Sequence, residues 1–173
     1  DIDLFAEESV NNIWKEIDKR KSILGAAYPF VVNTFQIVFV DNVNEEQSAY
    51  LLCLFLSSAE TQIIDNDITD VERRLFQLIS TVAAGGYFNA DAIWFGFPRP
   101  TGDGFYSALC SAFHTRIKEG IVVDSPSPGT SLNLKDSGID IIVHKKMNDE
   151  LPGQLFFYGQ VASGKNFIDK FLT

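Results

Sequence analysis

The sequence predicts an α/β protein: a mainly helical N-terminal region followed by a core of mixed sheet flanked by helices. Three observations point there. The chain has 173 residues, 46% hydrophobic and 21% charged, enough to bury one sizeable core. Its first half carries three helix-length stretches, two of them with apolar residues at the three- and four-residue spacing of a helix lying on a core. Its second half carries two short β-branched and aromatic runs, Ile139–Val143 and Gln154–Ala162. The polar connection Lys145–Gly153 joins them as a hairpin.

In chain order, Phe5, Val10, Ile13, Trp14 and Ile17 recur among charges between about residues 4 and 21, an amphipathic first helix. Gly25 and Tyr28-Pro29 interrupt the chain, and Phe35–Val40 reads as a strand ending at Asp41-Asn42. Asn44 is placed to cap a second helix, about 45–60, whose nearly all-round apolar character predicts burial. Past the break Asp65–Asp70, a third helix is expected from about 69 to 84, stopped by Gly85-Gly86. Trp94–Gly104 is a Pro/Gly loop rich in aromatics, and a fourth helix is expected over about 105–119. Ile121–Val123 reads as a short strand, Asp124–Asn133 as a Pro/Ser/Gly loop, and Asn166–Leu172 as a closing helix opened by Gly164. There is no internal repeat. The expected organisation is an acidic helical region (1–70), a helix-and-loop connection (71–104) and the α/β core (105–173). The chain opens on Asp1 and stops at Thr173 within a helix-like pattern, so a piece of a longer protein is expected.

Composition narrows the function classes. The longest apolar run, Tyr50–Ala59, falls short of the roughly 18 to 20 residues that cross a bilayer, so a cytoplasmic protein with no membrane partner is expected. Cys53 and Cys110 lack CxxC spacing and build neither a zinc ribbon nor a disulfide framework. The net charge of −9 argues against a nucleic-acid partner until its distribution is seen. Residues 1–70 hold 13 acidic against 4 basic side chains, and residues 71–173 hold 10 against 10, so all the excess acidity is N-terminal. That region is expected to be a solvated acidic surface, or else a face that docks a partner subunit or is autoinhibitory, and the second half is free to meet a polyanion.

One anomaly carries chemistry. Asp140 sits among Ile139, Ile141 and Ile142, where a strand should be apolar. Antiparallel pairing of the two runs brings Asp140 and Gln160 to one sheet end, where two oxygen ligands could hold a hard divalent cation, Mg²⁺ or Mn²⁺, completed by water and phosphate. Lys165, at the mouth of the closing helix, can reach back to the same point. Blander readings stay open: Asp140 paired with Lys145 or Lys146, Gln160 as a structural amide, and Lys165 as a solvated helix-start lysine.

At these residues, KDSGIDIIVHKK (135–146) and GQLFFYGQVASGKNFIDKF (153–171), the sequence resembles the PD-(D/E)xK, or restriction-endonuclease-like, nucleases. It is more narrowly similar to a bacterial subgroup with a KDxGxD strand followed by a GQxAxGxNW strand and helix. Phe95–Arg99, Lys118–Gly120 and Tyr28–Phe30 also look like that subgroup, although the specific match covers about the last 40 residues. The resemblance implies a restriction-endonuclease-like core and Mg²⁺-dependent hydrolysis of DNA in a bacterial antiviral defence or restriction system. Asp140 takes the place of the family's metal-binding aspartate and Gln160 that of its second acidic ligand, while Ala162 stands where the usual lysine would be. Lys165 is the candidate migrated lysine, and Glu119 the candidate missing carboxylate, with Glu72 as the competing choice. Having lost its acid and standard lysine, the fold could instead serve as a DNA-binding or protein-interaction module without chemistry.

Other chemistries fit less well. His114 and His144 lack zinc-site spacing, although His144 shares a strand face with Asp140 by parity. Gly159–Asn166 nearly spells a phosphate-binding loop, but Asn166 replaces the Mg²⁺-binding hydroxyl residue and too little chain follows. There is no nucleophile elbow.

Overall fold

The computed structural model describes residues 2–33, 36–60, 69–123, 138–149 and 151–162. They form a mixed α/β protein in two compact units, Asp1–Ser58 and Ala59–Thr173.

In the first unit, helix α1 (Ile2–Leu24) runs into a 3₁₀ turn, and β1 (Phe30–Val32) pairs antiparallel with β2 (Ile37–Phe39). The expected strand at 35–40 is thus one arm of a hairpin. Its other arm, Phe30–Val32, is too short to have shown alternation. Edge-to-face contacts of Tyr28 with Phe30 and Tyr50, and of Phe30 with Phe39, gather the hairpin's aromatics. Asn44 caps α2 (Glu45–Glu60) as its side chain predicts: its Oδ1 accepts from the Gln47 backbone at 2.7 Å, and Gln47 Oε1 accepts from the Asn44 N–H at 3.0 Å. The burial expected of α2 is only partial, since Ala49 to Phe55 are half-buried and Leu56 is covered.

In the second unit, α3 (Asp70–Phe88) starts on a reciprocal capping box between Thr69 and Glu72. It does not stop at Gly85-Gly86. The helix passes through both and ends at Asn89, which adopts the left-handed conformation. A Cβ on Gly85 would lie 3.2 Å from Ala90 O and 3.3 Å from the Ala92 Cβ, whereas one on Gly86 meets nothing within 4 Å. Gly85 is therefore a close-approach glycine between α3 and the next strand, and Gly86 is dispensable. Gly86→Ala is expected to raise stability by about 0.5–1 kcal/mol, read as a higher urea midpoint, because alanine loses less backbone freedom in a helix.

Strands β3 (Asp91–Trp94), β4 (Ile141–Lys146) and β5 (Gln154–Gly159) form a sheet in the order β3-β4-β5. Both pairings are antiparallel, so among the described residues the sheet is not mixed as expected. Strand β3 and helix α3, assigned by the sequence to a connection, are built into this unit. The hairpin falls where it was expected, with β4 shifted towards the turn. One sheet face meets α3: Phe157 stacks on Phe88 at 4.0 Å, and Lys145 Nζ donates to Phe88 O at 2.9 Å. The other face carries Ile93, Phe95 and Ile142 against Ala112 and Ile117 of the helical stretch α4 (Phe105–Cys110) and its π-helical continuation Ser111–Ile117. Ile121–Val123 is not a strand. Ile121 is 91% exposed, and Val123 O accepts from the Tyr106 hydroxyl. The Asp124–Asn133 loop and the closing helix Asn166–Leu172 lie outside the described residues.

Candidate functional site at one end of the sheet

The β4–β5 register ends at the pair Ile141–Gly159, with Asp140 and Gln160 the next residues of the two strands' chains. The β3–β4 register pairs Trp94 with Ile141, and one residue further sets Phe95 opposite Asp140. Backbone bonds tie in the residues beyond both ladders: Asp140 N donates to Gly159 O at 2.9 Å, and Phe95 N and Gly96 N both donate to Asp140 O at 2.8 Å. Phe95, Asp140 and Gln160 thus lie at one end of the three-stranded sheet.

Asp140 is 8% exposed. Its Oδ2 accepts from Val161 N at 2.7 Å, which orients the carboxylate along the end of β5. Gly96 lies against it. A Cβ on Gly96 would stand 2.4 Å from Asp140 Oδ1 and 3.1 Å from its Cα and Cβ, so the carboxylate occupies the space that only a glycine leaves. Gln160 Nε2 is 3.7 Å from where a Cβ on Gly138 would be, and Gly138 itself has φ +76°, at the turn leading into Asp140.

Of the predicted site residues, Asp140 and Gln160 lie at this end of the sheet, where Asp140 Oδ2 accepts from the N–H of Val161, the residue after Gln160. Lys165 lies outside the described residues. Glu119 sits elsewhere. It follows Ile117, whose carbonyl accepts from Gln154 Nε2 at 3.0 Å, and Gln154 pairs with Lys146 at the far end of β4–β5. Six residues at about 3.3 Å each put that end roughly 20 Å from Asp140. Glu72 is engaged in the α3 cap, and its hydrogen bond from the Thr69 hydroxyl holds its carboxyl below the ordinary glutamate range. Among the described residues no group of three His, Cys, Asp or Glu side chains converges on a metal-sized space.

His144 is structural. It is buried on the Asp140 face, but its Nδ1 lies 3.0 Å from Gln154 Oε1, and the same amide donates to Ile117 O. With the amide oriented this way, its oxygen accepts a hydrogen bond from the Nδ1–H and its nitrogen ties the end of the π-helical stretch to the hairpin. Gln154→Ala leaves two buried polar atoms without this partner and is expected to lower stability by about 1–3 kcal/mol in urea unfolding. Lys145, a partner considered for Asp140, faces the other side of the sheet towards Phe88. Gly159, the first glycine of the near-match to a phosphate loop, is a packing glycine: a Cβ there would be 3.3 Å from Ile141 Cβ.

Sequence reasoning missed the loop after β3. Arg99 is 7% exposed, its guanidinium lies 4.9 Å from the centre of the Phe95 ring, and Nη1 donates to Asp103 O at 3.2 Å. The signal was present in the aromatic, Gly/Pro-containing run Phe95–Arg99, but no role follows from the sequence for any residue in it. No protein-family model matches the chain, and no curated protein or solved structure matches it. No helix among the described residues is long and apolar enough to cross a membrane. Cys53 and Cys110 carry free thiols, and burial pushes the Cys53 thiol above its ordinary pKa.

Proposed function

We propose that this chain is a Mg²⁺- or Mn²⁺-dependent DNA endonuclease of the restriction-endonuclease-like type, a component of a bacterial defence system, working at the Asp140 end of the sheet. The observation that carries this reading is the buried Asp140 carboxylate, oriented by the Val161 N–H at the sheet end where Gln160 follows β5. The donors suit the group. Mg²⁺ is commonly held by one or two carboxylates with water and substrate phosphate filling the remaining positions, and both side chains offer hard oxygens. Bound there, the cation would supply an activated water and offset charge on the phosphate under attack.

The protein's own part is positional. The Val161 N–H holds one carboxylate oxygen in place, and the Phe95 and Gly96 N–H groups hold the backbone of Asp140. Gln160 adds a neutral oxygen, and Lys165, five residues on, is proposed to bring positive charge to the phosphate. With Gln160 neutral, Asp140 would be the one negative charge these two residues offer the cation, so millimolar metal is expected to be required.

A second reading rests on the same glutamine: with no carboxylate at that position, the fold would bind DNA without cutting it. The test is incubation of the purified chain with supercoiled plasmid and Mg²⁺ or Mn²⁺. Nicking or linearisation that EDTA removes supports the nuclease. Intact plasmid combined with salt-sensitive retention in gel shifts overturns it in favour of the binding module.

A further inference from the structure

Helix α1 carries a heptad pattern within its amphipathic one. Ala6, Val10, Ile13, Ile17, Arg20 and Leu24 follow one another at spacings that alternate four and three, the seam of a helix that packs along another helix. Its own unit covers this seam only towards the C-terminal end. There Ile17 and Leu24 are half-buried, and Arg20 Nη1 donates to the Tyr50 hydroxyl at 3.2 Å. Val10 and Ile13, further up the seam, are 51% and 59% exposed. Ile13, Ile17 and Arg20 share with Tyr28, Phe30 and Leu54 a groove of about 560 Å³ whose walls are almost wholly apolar. A lone helix gains little stability in water, so a 23-residue helix with this much uncovered apolar surface is built to pack on a partner.

The charges along α1 select that partner. Residues 4–14 hold two acidic side chains, Glu7 and Glu8, and no basic one, whereas residues 15–24 hold four basic against two acidic. A second α1 running antiparallel sets the acidic half against the basic half at both ends. A parallel copy opposes like halves and places Arg20 against Arg20 across the seam. Glu7 and Lys21 lie on the same flank of the seam, each seven positions from Trp14. Antiparallel pairing therefore sets Glu7 against the other copy's Lys21 twice, with the two Trp14 residues at the dyad. Both charges are exposed, and among the described residues neither has an ion-pair partner, while Lys19 and Arg20 both lie on Glu16. We infer that α1 is a dimerisation helix and that the chain pairs with a second copy of itself through the antiparallel α1 seam. This goes beyond the nuclease reading and does not rest on it.

The experiment is sedimentation equilibrium of the full chain from about 1 to 100 μM, with folding followed by circular dichroism. Wild type is expected to be a dimer that dissociates on dilution and whose urea midpoint rises with protein concentration. Ile13→Glu puts a charge in the middle of the seam, on a side chain already more than half exposed. It is expected to weaken the dimer about a hundredfold or more while the monomer stays folded. Glu7→Lys and Lys21→Glu alter only exposed positions, and each is expected to weaken association about tenfold. Combined in one chain they recreate the pairing with the signs exchanged, and the double variant is expected to return to wild-type affinity. Should Ile13→Glu unfold the protein, this charge-reversal set decides alone. A wild type that stays monomeric throughout overturns the inference. In that case an Ile13→Glu midpoint below wild type assigns the seam to packing within the chain, and an unchanged midpoint makes it plain surface. A dimer untouched by Ile13→Glu, or a double variant as weak as the single ones, puts the contact elsewhere or in the parallel sense and overturns the inference as well.

Discussion

Asp140→Asn is expected to abolish metal-dependent plasmid cleavage, by on the order of a thousandfold, while leaving the protein folded. The two expectations separate because of what the carboxylate does. One oxygen accepts from Val161 N at 2.7 Å, and an asparagine carbonyl can keep that bond, so the stability cost should be near 1 kcal/mol. What asparagine cannot supply is the negative charge that holds the cation. Losing several kcal/mol of charge stabilisation in the transition state corresponds to two or three powers of ten at about 1.4 kcal/mol each. Asp140→Ala removes the acceptor as well and is expected to lower stability by about 1–3 kcal/mol. Rate and midpoint measured for both variants distinguish a metal ligand from a structural aspartate: the first loses cleavage in both, and the second loses cleavage only in step with stability.

Gly96→Ala is expected to be the most damaging single-methyl change in the second unit. Its Cβ would sit 2.4 Å from Asp140 Oδ1 and 3.1 Å from Asp140 Cα. The carboxylate oxygen could swing away only by giving up its orientation, and the Cα is backbone fixed by two N–H bonds from Phe95 and Gly96. Strand β3 and Asp140 must therefore move apart, at a cost of about 1–3 kcal/mol or more. Cleavage is expected to fall together with stability, unlike in Asp140→Asn. Gly86→Ala is the matched control, the same added methyl in open space within a helix. A Gly96→Ala protein with wild-type midpoint and wild-type cleavage would show that the close approach at this sheet end is unimportant.

Particular residues show how far the chain could be read without coordinates. The hairpin was legible because the β-branched and aromatic runs at 139–143 and 154–162 are separated by a polar connection, and antiparallel pairing alone then carries Asp140 and Gln160 to one sheet end. The α2 cap was legible for a similar reason, since an asparagine followed three residues later by a glutamine is a local device. Gly85-Gly86 was misread because a glycine that ends a helix and one that lets a strand approach look alike in sequence. The contacts that tell them apart are made by Ala90 and Ala92. Glu119 was grouped with Asp140 because the fourth helix precedes the core in the chain. The bond from Gln154 to Ile117 instead anchors the end of that helical stretch at the opposite end of the hairpin.

What the sequence determined by itself is the set of local elements and the one chemical anomaly, an aspartate in an apolar strand, since periodicity, capping and hairpin pairing are short-range. What only the tertiary structure decided is which distant segments share the Asp140 end of the sheet. The β3–β4 register brings in Phe95, Gly96 and Arg99 and leaves Glu119 aside. The physical reason is that strand pairing between segments far apart in the chain depends on how both sheet faces are covered, by α3 on one side and by the α4 stretch on the other. No local pattern of residues encodes that choice.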